Sequence, residues 1–96
     1  MADEITRWAA PIYSMQCTAL RDTRVSGVTI GKGPRVGLFC GSANFDEDVF
    51  NDPHRFDITR GPHLSFGSGI HFCLRAHLAR LETRIIFDAI ADTMAR

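Results

Sequence analysis

Phe66-Gly67-Ser68-Gly69-Ile70-His71-Phe72-Cys73-Leu74 is the stretch on which the fold turns. Its two glycines stand two residues apart, open to backbone conformations closed to other residues and able to approach a flat ligand closely. Cys73 then falls at the mouth of an amphipathic helix. Leu74, Leu78, Leu81, Ile85, Ala89 and Ile90 recur at three- and four-residue steps and form one apolar face. Arg80, Arg84, Asp88 and Asp92 fall on the other side, with Arg84 and Asp88 at i,i+4 spacing. A thiolate at such a helix mouth faces unpaired N–H groups and the positive end of the helix dipole, a setting suited to metal ligation. The plainer reading of Cys73 is a buried structural thiol, the usual state of a free cysteine.

Working outward, the 20-odd residues before this loop carry no steady period. Residues 41–61 are rich in Asn, Asp, Pro and Phe, and they predict a short helix near Asn44 to Phe45 and an irregular segment pinned by Phe50, Pro53 and Phe56. Upstream, from Ser14 to Cys40, Val25, Val28, Ile30, Val36 and Leu38 sit in short runs punctuated by Gly27 and by Gly31-Lys32-Gly33-Pro34. That pattern predicts a small antiparallel sheet with two tight turns. Gly31-Lys32-Gly33 lacks the length and the Ser or Thr of a phosphate-binding loop. Glu4 to Trp8 reads as a short entry helix stopped by Pro11. The fold class is therefore α+β. A long helix of this kind needs a surface to bury against, and the expectation is that its apolar stripe is core, or an aggregation or interaction surface where it is left uncovered.

Bulk properties narrow the function. The chain has 96 residues, one domain's worth or less, with formal net charge zero. That balance gives no electrostatic reason to expect nucleic acid or an anionic membrane as partner. No apolar run reaches the length of a membrane anchor, and Met1 to Arg7 carries Asp3 and Glu4 instead of a signal peptide's features, so a cytoplasmic location is the expectation. Cys17, Cys40 and Cys73 are an odd number without tight pairing, which argues for free thiols or a ligand over a disulfide scaffold. His71, Cys73 and His77, with His63 nearby, offer a zinc alternative, although no second pair of ligands at short separation is present. Glu4, Arg7 and Arg55 read on their own as solvated charges.

Taken in order, four motifs resemble the cytochrome P450 family. Phe66 to Leu74 is similar to its cysteine loop, Glu4-Ile5-Thr6-Arg7 to its Glu-x-x-Arg helix, Asp52-Pro53-His54-Arg55-Phe56 to the segment whose arginine completes a Glu-Arg-Arg triad, and Leu78 to Glu82 to the helix after the cysteine. The resemblance covers nearly the whole chain and is nearest in flavour to the soluble bacterial members. It implies that residues 1–96 are the C-terminal, haem-binding portion of the P450 fold, without the family's oxygen-activating helix and substrate loops. It further implies haem as cofactor, Cys73 as axial iron ligand, and His63 and His71 as propionate partners. Phe66 would tune the thiolate, Gly67 and Gly69 would let the backbone approach the ring, and Glu4, Arg7 and Arg55 would form a structural triad. The implied activity is monooxygenation with a ferredoxin or reductase as electron donor; the rival is a non-catalytic remnant that at most binds haem weakly. Two positions depart from the family pattern: Arg75 stands where glycine usually follows the cysteine by two, and Cys17 where an arginine usually pairs with a propionate.

Overall fold

The computed structural model describes all residues from Met1 to Arg96. Helix α1 spans Ala2–Ala9 and ends at Ala10, whose φ of 39° turns the chain out of the helix before Pro11 can break it. Strands β1 (Met15–Thr18), β2 (Thr23–Val25), β3 (Val28–Ile30) and β4 (Arg35–Leu38) follow. They pair antiparallel, as the sequence suggests, but in two ladders. β1 pairs with β4 and β2 with β3, each antiparallel, giving two separate two-stranded ladders. The inner hairpin turns at Ser26 and Gly27, both with positive φ, the twist that matches antiparallel strands joined by two residues.

Helix α2, Cys40–Ala43, begins directly after β4 and ends just before the Asn44-Phe45 position expected for it. Turns carry the chain to a 3₁₀ turn at Gly69–His71 and then to α3, Ala76–Met94. The α3 stripe that is covered is Ala76, Ala79, Arg80, Thr83 and Phe87, which packs toward α1. The stripe read from the sequence as core is instead exposed, with Leu74, Leu78, Leu81, Ile85 and Ile90 all open to solvent. Hydrophobic periodicity records every face that a helix must cover. Here α1 offers enough surface to cover only one.

The interior is unusual for a chain of this length. Its buried hydrophobic residues are Ala10, Cys40 and Ala76, whereas its largest buried side chains are Arg7, Glu4 and Asn44. The radius of gyration is 16.6 Å; a compact domain of this length has about 12–13 Å. What holds these elements together is a polar network rather than an apolar core.

Candidate functional site: the cysteine loop and its anchor

The anchor is the Glu4–Arg7 pair, one turn apart on α1 and sealed from solvent. Arg7 Nε donates to Glu4 Oε2 at 2.7 Å and Arg7 Nη2 to Oε1 at 2.8 Å, a fork-on-fork geometry. Arg7 Nη1 donates to the Asn44 carbonyl at 2.6 Å and Nη2 to the Pro53 carbonyl at 3.0 Å. Its guanidinium also lies over the Phe45 ring, 5.0 Å from the centroid. The Arg7 hydrogen bond holds the Glu4 carboxyl below its ordinary pKa against the opposing effect of burial, helped by the Asp57 backbone N–H.

The second arginine at Glu4 is not Arg55. Arg55 is exposed and makes no ion pair, while Arg60 Nε stands 3.5 Å from Glu4 Oε1. The turn at Asp52 to Arg55 explains the exchange: the Arg55 N–H closes it onto the Asp52 carbonyl. Arg60 then folds back across it, donating to the carbonyls of Asn51, Asp52 and Arg55. Arg60 thus ties the whole irregular segment to Glu4, the task that sequence reading gives to Arg55.

Asn44 carries the network to the cysteine loop. Fully buried, it donates from Nδ2 to the Ser65 hydroxyl at 2.8 Å and to the Arg7 carbonyl at 3.3 Å, and its Oδ1 accepts the Leu64 N–H at 2.8 Å. Ser65 in turn donates to the Thr6 carbonyl at 2.9 Å. The residues just before Phe66 are therefore fastened to α1 and to the end of α2. Neither Asn44 nor Ser65 stood out in the sequence, because both are common surface types whose partners lie 20 or more residues away.

The loop itself turns at Gly67 and Gly69, with φ of +73° and +65°. Those values lie in the left-handed region, where a side chain would clash with the backbone. Around Gly69 a Cβ would meet nothing within 4 Å, so one side of the loop is open. The Cys73 N–H donates to the Phe66 carbonyl at 2.9 Å, closing the loop, and the Cys73 carbonyl accepts the Ala76 N–H at 3.2 Å as α3 begins. Cys73 is half-buried, in a surround of exposed apolar side chains: Ile70 at 96% exposure, Leu74 at 99% and Phe72 at 42%. His71 is exposed on the same loop. Beside it, a cavity of about 670 Å³ opens between the loop and the β1–β4 ladder, lined among others by Met15, Cys17, Leu38, Gly67 and His71. Cys73 lies outside that cavity's lining. Arg75 stands at the entry to α3 and is exposed, so its charge faces water.

His63 does not stand with His71. Its side chain is 1% exposed, with Nε2 3.3 Å from Asp3 Oδ1. Its Nδ1 accepts the Ser65 N–H at 3.2 Å. Both ring nitrogens are taken within the chain, the neutral ring carrying its proton on Nε2. Burial pushes His63 below the usual histidine pKa, and the Asp3 hydrogen bond only partly opposes it. His63, expected beside a propionate, thus has both ring nitrogens engaged by partners within the chain in this structure. The zinc alternative has no site either, since no three of the His, Cys, Asp and Glu side chains gather as a metal cage. Asp3 and Arg80, which read in the sequence as unpaired polar positions, meet at 2.6 Å across α1 and α3.

A glycine-turned loop that presents one cysteine at a helix mouth, fastened to a buried Glu–Arg pair on another helix, defines a cysteine-presenting scaffold. The comparisons give that scaffold its family. The profile of "Cytochrome P450" matches residues 1–91, and the chain belongs to the cytochrome P450 family. It is 61% identical over 94 residues to a steroid C26-monooxygenase of Rhodococcus jostii (strain RHA1), covering 95% of this chain and 20% of the relative. To "Cytochrome P450-terp" of a Pseudomonas species it is 51% identical, covering 94% of this chain and 22% of the relative. Among solved structures, P450BioI in complex with a hexadec-9Z-enoic acid ligated acyl carrier protein superposes with a TM-score of 0.90 at 42% identity, covering 94% of this chain and 24% of that one. The testosterone complex of a Bacillus megaterium P450 gives 0.88 at 37% identity, covering 94% and 26%. The chain thus spans about a fifth of the length of the curated relatives it matches. No helix is long and apolar enough to cross a membrane.

Proposed function

We propose that residues 1–96 supply the proximal, thiolate-bearing part of a P450 haem site, with Cys73 as axial iron ligand. The observation that carries this is the half-buried Cys73 on a loop held by two positive-φ glycines, in an open apolar surround. The donor set fits haem: a soft sulfur with apolar neighbours for a macrocycle, and no group of three His, Cys, Asp or Glu side chains that would make a metal cage. Gly67 and Gly69 would let the ring approach the backbone, Phe66 would pack beside the sulfur, and His71 would meet a propionate. Cys17 lines the adjoining cavity and offers no guanidinium, so a propionate pairing made by an arginine elsewhere in the family would fall to His71 here. Bound thiolate-ligated haem supplies oxygen activation, with transfer of one oxygen atom to an organic substrate and electrons from a ferredoxin or reductase. The chain's own residues would hold the ligand sulfur, set its orientation and tie the loop to α1.

A second reading, a non-catalytic remnant, draws on the open α3 stripe and the three small buried hydrophobics, which leave this stretch dependent on further covering surface. One experiment serves both. The purified chain is mixed with haemin, reduced and exposed to carbon monoxide. A strongly red-shifted thiolate-type Soret band is expected, lost in Cys73→Ser and kept in Cys17→Ser and Cys40→Ser. Absence of the band in the wild-type chain would refute haem ligation by this stretch alone. Substrate oxidation by a band-forming sample would dismiss the remnant.

A further inference from the structure

The groups around Phe66 form a set that haem ligation does not account for. Arg80 Cζ lies 4.9 Å from the Phe66 ring centroid, and the His63 ring centroid lies 5.5 Å from it. Both groups are held by one oxygen: Arg80 Nε donates to Asp3 Oδ1 at 2.6 Å, and His63 Nε2 approaches the same atom at 3.3 Å. Phe66, through its carbonyl, receives the Cys73 N–H. We propose that Asp3, Arg80 and His63 are positioning residues: a clamp on the Phe66 ring that holds the Cys73 loop in shape before any ligand arrives.

The blander account is an ion pair that merely joins α1 to α3. With Arg80 34% and Asp3 47% exposed, such a pair adds little by itself. Its geometry is more specific than joining two helices requires. A planar guanidinium fixed by a carboxylate is suited to lie over a ring face, and a buried imidazole packs on the same ring. Three separated residues, Asp3, His63 and Arg80, thus converge on one aromatic side chain whose carbonyl receives the Cys73 N–H. The consequence for a bound haem rests on the reading above; the clamp itself does not.

The test is amide hydrogen exchange on the full chain without haem. Arg80→Met is expected to speed exchange of the Cys73 amide about fivefold, the order of one cation–π contact. Amides of the β1–β4 ladder should be unchanged, and Arg84→Met, one turn further along α3, should leave Cys73 unaffected. Arg80→Lys, which keeps the charge but loses the planar fork, should restore part of the protection. A change at Cys73 smaller than roughly twofold, or an equal acceleration across all amides, would overturn the proposal. If Arg80→Met does not fold, Asp3→Asn frees the same guanidinium at constant shape, and an unaltered Cys73 amide in that variant overturns it equally. The carbon monoxide spectrum of the wild-type chain judges haem ligation separately, so failure of one reading is distinguishable from failure of the other.

Discussion

Replacing Arg7 with alanine tests the claim that charge, not apolar volume, holds this fold. The substitution removes both hydrogen bonds to Glu4 and those to the carbonyls of Asn44 and Pro53. It also leaves Glu4, only 2% exposed, without its principal counter-charge. Breaking a buried ion pair from one side costs about 3–5 kcal/mol. A chain of this length has roughly 5–14 kcal/mol in total, so the loss takes a large share of it. At about 4–8 °C per kcal/mol, the melting midpoint should fall by roughly 12–40 °C, or the transition should vanish. Circular dichroism melts at neutral pH read this directly. Arg60→Ala should fall between Arg7→Ala and wild type, because Arg60 bridges three carbonyls to Glu4. Arg55→Ala should shift the midpoint by no more than about 4 °C. A fall below about 5 °C for Arg7→Ala, or equal effects of Arg55→Ala and Arg60→Ala, would falsify the assignment.

Acid should act in two stages. His63 has its folded pKa below 6.5, so the unfolded chain binds more protons just beneath that pH; the stability is complete above 6.5 and declines as pH falls through it toward the folded value. Glu4 has its folded pKa below 4.5, so its contribution is present above 4.5 and is lost as pH falls from there through the folded value. Urea midpoints from pH 7 to pH 3 should show both stages, with His63→Asn flattening the upper one; a wild-type midpoint unmoved between pH 7 and pH 5 would rule out the first. Gly69→Val places a β-branched residue at φ +65° with no neighbour to clash, so it should cost about 1–2 kcal/mol from the backbone alone, measured by the same urea titration. Gly41→Val should destabilise by displacing the Tyr13 ring, against which a Cβ at position 41 would stand; Gly41→Val in a Tyr13→Ala background should recover most of the loss.

The parts of the site legible in the sequence are those whose cause is local. Gly67 and Gly69 announce positive φ because few other residues take it. Glu4 and Arg7 sit one turn apart, so their pairing follows from helix geometry, and Pro11 marks where α1 must already have ended. Long-range partners left no such trace. Arg55 and Arg60 are both arginines in the same Asp-rich segment, and only the direction of the turn at Asp52 decides which one reaches Glu4. His63 looks in sequence as much like a ligand as His71 does, yet Asp3, 60 residues earlier, takes its Nε2. The α3 stripe from Leu74 to Ile90 is a correct reading of amphipathicity, but pattern alone does not say which surface lies opposite.

The polar anchor also bears on how quickly this stretch reaches its native form. Arg7 must find carbonyls 37 and 46 residues away, and Ser65 must find Thr6 at a separation of 59. Contacts so distant along the chain return nothing until most of the loop entropy has been lost, which slows folding. During that search both ionic groups are still hydrated and the leucines and isoleucines of α3 lie open. A chain in that search should expose a sticky face, and a holdase that shields α3 while Asn44 and Ser65 dock should raise the yield of folded protein.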